Sequence, residues 1–108
     1  MARYVYLVKY TPEALKAVRE DGYANRVTVI ERLTESVGGR LEQIYFINSP
    51  EWDFVNIAEV DADGAFAINS MAEASGTIER GLMFELFTAE EADHAISAQL
   101  LWTPPGAS

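Results

Sequence analysis

The chain predicts an α+β domain, a four-stranded antiparallel sheet with helices on one face, and three observations carry that prediction. Four segments alternate apolar and polar residues with period two. Segments of helical spacing lie between them in the order β-α-β-β-α-β, with one more helix at the end. Turn and capping residues stand at each junction.

Arg3 to Tyr10 alternates cleanly and is rich in Tyr and Val, which reads as the first strand. Thr11-Pro12-Glu13 follows as an N-cap, a proline at the first helical position and an acid in the first turn. Ala14, Leu15 and Val18 continue that helix until Asp21-Gly22 interrupts it. Val27, Ile30, Leu33 and Val37 then recur at three- and four-residue spacing, a second helical stretch. Gly38-Gly39 stops it, one glycine as a left-handed cap and the other as a flexible exit. Arg40 to Ile47 is the second strand, Asn48-Ser49-Pro50-Glu51 a turn, and Trp52 to Val60 the third strand. Asp61-Ala62-Asp63-Gly64 starts a helix of small residues running to about Ser75, with Gly76 just beyond. Thr77 to Phe87 is the fourth strand. Thr88 with Glu91 three places later has the form of a capping box and opens a last helix to about Gln99. Pro104-Pro105 bars helix from the tail.

This order is the split βαβ, or ferredoxin-like, plan, whose strands lie in the spatial order fourth, first, third, second. Residues 1–99 form the domain and 100–108 a tail. At 108 residues, 49% hydrophobic and 23% charged, the chain suits one globular unit. A chain of this size buries roughly 65% of its unfolded surface. There is no Cys, which removes disulfides, thiolate metal sites and cysteine nucleophiles. Seventeen Asp and Glu against eight Lys and Arg give a net charge of −9. Such a surface repels phosphate backbones and anionic membranes, so neither nucleic acid nor a membrane is an expected partner. The first residues lack the pattern of an export signal and no apolar run has the length of a membrane span, so a cytoplasmic location is expected.

Period two divides the sheet into two faces. Tyr4-Tyr6, Gln43-Tyr45, Phe54-Asn56-Ala58 and Met83-Glu85 are read as pointing one way. Val5-Leu7, Ile44-Phe46, Val55-Ile57 and Leu82-Phe84-Leu86 point the other and have the composition of a core. The aromatic face with its Asn, Gln and Glu is expected to be the open one. Left in water it exposes a large apolar patch, so a second subunit is expected to cover it and close a cavity. A homodimer or larger homo-oligomer is the predicted state.

Glu85, Tyr6, Asn56 and Tyr45 are expected in one row on that face, with Gln43 a step along. A carboxylate set among apolar rings is a candidate proton carrier, which makes Glu85 the candidate catalytic residue. Tyr and Asn side chains suit a carbonyl or an enolate. The bland alternative pairs Glu85 with Arg3 or Arg80 and leaves the tyrosines as lining. Trp52 and Asp53 are read as a rim, against the alternative of a packing Trp and a turn-capping Asp. Glu91 and His94 have E-x-x-H spacing on a helix, but the chain has one copy and a single His, so a solvated His94 is expected and no metal site. Neither a Ser-His-Asp set nor a glycine-rich phosphate loop is present. Leu100, Leu101 and Trp102 are too apolar to hang free and are expected to pack on the sheet edge or on a neighbouring subunit.

Thr11-Pro12-Glu13, Gly38-Gly39-Arg40-Leu41 and Trp52-Asp53-Phe54-Val55 together resemble the GYD-domain family, over roughly Tyr4 to Ala95. The namesake Gly-Tyr-Asp stands here as Glu51-Trp52-Asp53. The resemblance implies a small bacterial protein of dimeric α/β-barrel type with no defined function. For that wider group it implies a range from cofactor-free oxygenases, cyclases, isomerases and haem-degrading enzymes to plain binders, and fold does not choose among them. Three expectations follow. The first is a homodimer holding a small aromatic or carbonyl-bearing ligand against Tyr6, Gln43, Tyr45, Trp52, Asp53 and Asn56, with no cofactor. The second is a cofactor-independent enzyme with Glu85 as proton carrier, and the third an assembly protein without a pocket.

Overall fold

A computed structural model describes residues 1–107; Ser108, the last residue of the tail, lies outside the described residues. The elements are β1 (Ala2–Tyr10), α1 (Pro12–Asp21), α2 (Tyr23–Ser36), β2 (Arg40–Phe46), β3 (Phe54–Val60), α3 (Ala62–Ala74), β4 (Ile78–Leu86) and α4 (Ala89–Ile96). The strands form one antiparallel sheet in the order β2-β3-β1-β4. The fold is α+β, with an open four-stranded sheet of ferredoxin-like type.

The local signals explain the junctions. Thr11 Oγ1 accepts the Ala14 N–H at 3.2 Å, and Pro12 occupies the first turn, where its missing N–H costs nothing. Gly22 at φ 98° separates α1 from α2, a backbone angle that suits glycine. Thr88 and Glu91 complete a reciprocal capping box: Thr88 N–H donates to Glu91 Oε1 at 2.8 Å and Glu91 N–H to Thr88 Oγ1 at 3.1 Å. Gly39 corrects the expectation of a flexible exit. A Cβ there would lie 2.6 Å from the Glu59 carbonyl oxygen and against the Val60 side chain, so this glycine permits a close approach of two backbones.

The polarity of the sheet is the reverse of the sequence expectation. Tyr6, Val8 and Tyr10 of β1 and Phe54, Ala58 and Val60 of β3 are buried, and the core cluster joins Tyr6, Val8, Tyr10 and Phe54 to Val18 of α1 and Ile30 of α2. The aromatic face is therefore the one beneath the helices. Val5, Leu7, Val55 and Ile57 are only half-buried, and Leu82 and Phe84 are exposed, Phe84 at 52%. The physical reason lies at the strand ends. Arg3 and Lys9 are in phase with Val5 and Leu7, and Glu59 is in phase with Val55 and Ile57. Charged groups hold that face toward water.

β2 adds a second correction. Leu41 pairs with Ala58, but Gln43 pairs with Ile57 and Ile44 with Asn56, so the register shifts between Leu41 and Gln43. The extra residue of this irregularity leaves Leu41, Ile44 and Phe46 on the helix side. Gln43 and Tyr45 face the other way. Beside the shift, Arg3 Nε donates to Glu42 Oε1 at 2.8 Å, and Arg40 Nη2 donates to Glu59 Oε1 at 3.0 Å.

The C-terminal arm stands apart. No residue of α4 is buried, and Ile96, Leu100, Leu101 and Trp102 are highly exposed. The chain extends 60 Å along its longest axis with a radius of gyration of 17.3 Å. A compact chain of this length has about 13 Å. In this single chain, the expected packing of the tail on the sheet edge is not seen.

Candidate functional site

A cavity of about 210 Å³ lies between the aromatic face of the sheet and helices α2 and α3. Its floor is Tyr4, Tyr6, Val8 and Tyr10 of β1, with Phe54, Asn56, Ala58 and Val60 of β3. Ile30 and Leu33 of α2 and Ile68 and Met71 of α3 form the walls. The alternation that places successive even-numbered residues of β1 and β3 on one face also makes a continuous floor. An engineered apolar cavity of about 150 Å³ accepts benzene, so this space suits a compact organic molecule of one substituted ring.

Tyr6 is the centre of the site. It pairs in register with Asn56 on one side and Met83 on the other. Its ring reaches across β4 over Gly81, where an added Cβ would lie 2.9 Å from the phenolic oxygen. Glycine at this position makes room for the ring. Tyr6 is 6% exposed, and its Oη is the one buried side-chain N or O atom among the described residues without a hydrogen-bond partner. Burial pushes this phenol above its ordinary range, with smaller contributions of the same sign from Glu73 and Tyr10.

The other polar groups of the cavity differ in how far they are engaged. Thr34 Oγ1 donates to the Ile30 carbonyl at 2.8 Å, a bond that keeps a buried hydroxyl satisfied within α2. Ser75 Oγ donates to the Ala72 carbonyl at 2.7 Å. Arg26 Nε donates to Tyr10 Oη at 3.1 Å, and its guanidinium carbon lies 5.8 Å from the Tyr10 ring centre. Burial raises the Tyr10 phenol, and the Arg26 charge and hydrogen bond pull against that rise. Tyr10 also packs on Phe54 at 5.5 Å between ring centres.

The structure divides the residues singled out from the sequence. Tyr6 and Asn56 line the cavity together, with Tyr4 and Met83. Gln43 and Tyr45 are exposed on the opposite face, because β2 pairs Tyr45 with Val55 and not with Asn56. Glu85 sits opposite Tyr4, one pair away from Tyr6, and is exposed on an edge strand. The apolar surroundings expected for it are missing, and so are the pairings with Arg3 and Arg80. Arg3 is held by Glu42 and Glu59. Arg80 donates to the Glu51 carbonyl at 3.0 Å and stacks 4.4 Å above the Trp52 ring.

Asp53 has structural partners. Its carboxylate accepts the Tyr10 N–H at 2.7 Å and faces Lys9 Nζ at 3.8 Å. Its own N–H donates to the Val8 carbonyl at 2.8 Å, and its carbonyl accepts the Ile47 N–H at 2.8 Å. One buried residue thus ties the ends of β1, β2 and β3 together. His94 is exposed on α4. Among the described residues, no three His, Asp or Glu side chains gather as a metal-ligand set.

Arg26 and Tyr10 are the site residues the sequence reading missed. Tyr10 carried a signal, since it continues the phase of Tyr4 and Tyr6. Arg26 stands four residues before Ile30 on α2, so its helical face was legible once Ile30 was known to point inward.

The model of the GYD domain matches residues 4–96, and the chain belongs to that family. No curated protein matches the chain.

Proposed function

We propose that this GYD-domain protein binds a small organic ligand in the cavity between its aromatic sheet face and α2–α3. One observation carries the reading: the buried, unpartnered hydroxyl of Tyr6 in a mostly apolar space. An unsatisfied buried hydroxyl costs about 1–3 kcal/mol, and a ligand oxygen accepting its proton removes that cost. Mostly apolar walls with a few convergent polar groups are the usual make-up of a small-molecule site. Binding is favoured over catalysis because the cavity lining includes no Asp, Glu or His to move a proton, and Glu85 lies outside it.

The test is a calorimetric titration with neutral single-ring probes such as benzamide. Saturable binding of one probe per chain is expected, abolished by Ala72→Phe, which fills the cavity from α3. Failure of every single-ring probe to bind, or binding indifferent to Ala72→Phe, overturns the reading.

The same reading includes a second copy of the chain on the opposite face of the sheet. Leu7, Val55, Ile57, Leu82 and Phe84 form an apolar surface with no helix residue buried on it, and the arm carries exposed Leu100, Leu101 and Trp102. Two such sheets packed face to face close a two-sheet barrel of the ferredoxin-like dimeric type. The pairing surface is then the Val5–Leu7 face, and each ligand site stays within its own subunit.

A further inference from the structure

Arg26 poses a question that ligand binding alone does not answer. The chain has 17 acidic residues against eight Lys and Arg, so cations have no shortage of carboxylates. Arg3, Lys9 and Arg40 each have one within 4.0 Å, while Arg26, like Lys16, Arg19, Arg32 and Arg80, is in none of the ion pairs among the described residues; of these five, Arg26 is the one that lines the cavity between the sheet and α2–α3. Arg26 is half-buried on α2, and it lines the cavity. Its Nε is committed to Tyr10 Oη. Guanidinium carries five N–H donors in a planar fork, so four remain.

The second unpaired group lies near the same end. Tyr6 extends along β4 over Gly81, which pairs with Val8, so its hydroxyl leans toward the Tyr10 end of the floor. Tyr6 and Tyr10 both line the cavity, in phase on β1. Thr77, which also lines the cavity, follows α3 at this end, where its carbonyl accepts the Thr11 N–H at 2.9 Å. A cation without a counter-ion and a buried O–H without an acceptor together describe the complement of a carboxylate. Glu73 is the opposing acid, but it is exposed and lines no part of the cavity.

We propose that the cavity selects a small hydrophobic monocarboxylate, with its anionic oxygens held between the Arg26 guanidinium and the Tyr6 hydroxyl and its apolar body against Phe54, Ile30 and Met83. The proposal rests on the ligand-binding reading above and names the ligand's class. Arg suits the role because its fork presents parallel donors to a carboxylate, and such charge-assisted bonds are about twice as strong as neutral ones. Tyr10 acts as a positioning residue: its hydroxyl holds Nε, and its ring limits where the fork can swing. The net negative surface works against slow, non-specific capture of anions, so selectivity has to come from this pair of groups.

The test compares benzoate with benzamide, planar molecules of nearly equal shape that differ in charge, by calorimetry on the unmodified protein. Benzoate is expected to bind roughly tenfold or more tightly, the factor that one charge-assisted hydrogen bond supplies. Arg26→Gln is expected to remove that preference, lowering benzoate affinity by roughly tenfold or more so that the two probes bind alike. Tyr6→Phe is expected to weaken both probes. If both probes bind equally, or benzamide binds better, the monocarboxylate proposal is overturned and the cavity reading stands. If neither binds, the cavity reading fails with it. The comparison on unmodified protein decides the matter even where Arg26→Gln fails to fold.

Discussion

Tyr6 sets two demands that pull in opposite directions. Its ring fills space between β1 and β4, and its hydroxyl is buried without a partner. Tyr6→Phe keeps the ring and removes the orphan. In the ligand-free protein it should raise stability by about 1 kcal/mol, the low end of the cost of an unsatisfied buried group, as measured by urea denaturation. The same substitution should weaken probe binding, so stability and affinity move apart. A Tyr6 that served only packing would show the same gain in stability and leave probe binding unchanged. The two raised phenols, Tyr6 and Tyr10, also give the protein an alkaline limit. Their protons are held more tightly in the folded chain than in the unfolded one. Stability is therefore intact below the ordinary phenol value of about 10 and falls as pH rises from there through the higher folded values. Tyr6→Phe should reduce that alkaline loss in a series of melting curves. Asp53 answers a different question. Its buried carboxylate ends on the Tyr10 N–H and Lys9. Asp53→Ala leaves both without an acceptor and should cost about 2–3 kcal/mol in the same denaturation experiment, with benzamide binding lost only in proportion to unfolding.

At the level of elements, the glycines and caps are the sharpest controls. Gly39→Ala drives a methyl into the Glu59 carbonyl and Val60, where backbone must shift. A loss of about 3 kcal/mol is expected by urea denaturation, at the upper end of overpacking costs. Thr88→Ala removes one half of the α4 capping box. Because no residue of α4 is buried, the loss of about 1 kcal/mol should appear as faster amide exchange within α4 while the global melting temperature stays put. Glu91 adds a pH signature to the same helix. The Thr88 backbone N–H holds its carboxyl below the usual carboxylate range. Its contribution is present above the ordinary Glu value and lost as pH falls through the lower folded one. Amide protection in α4 should therefore fade in acid before the sheet opens. Element order, the Gly22 break and the Thr11 and Thr88 caps were all legible in the sequence, because each is written within four or five neighbouring residues. Which face of the sheet carries the helices was not. Period two separates two faces without ranking them, and the Val-Leu-Ile-Phe face looked more like a core than the tyrosine face. Lys9 and Glu59 were the available signal, since each marks its phase as the one facing water. The shift of register at Leu41–Gln43 carried no such mark, and it is what sent Tyr45 away from Asn56.

For the whole molecule, the inversion exchanges the roles of the two faces. The tyrosine face lies beneath the helices and lines the cavity, and the aliphatic face is left uncovered in the single chain. Tyr6 and Asn56 kept their company through this exchange because β1 and β3 are adjacent and antiparallel, a pairing the element order already implied. Glu85 lost its place because an edge strand leaves its flank in water. With the aliphatic face as the pairing surface, Leu82→Asp should lower the sedimenting mass toward that of one chain without abolishing benzamide binding. Should Leu82→Asp leave the mass unchanged, the second copy does not sit there. Removal of residues 97–108 should lower the oligomer's melting temperature if the arm crosses to its partner, and no change in either mass or melting temperature excludes that role. The central claim is that ligand lies between the sheet and α2–α3, and methyl NOEs from bound benzamide test it most directly. Contacts are predicted to Ile30, Val8, Ile78 and Met83 of the cavity. Contacts instead to Leu7, Val55, Ile57 and Leu82 would place the ligand on the opposite face and contradict the account.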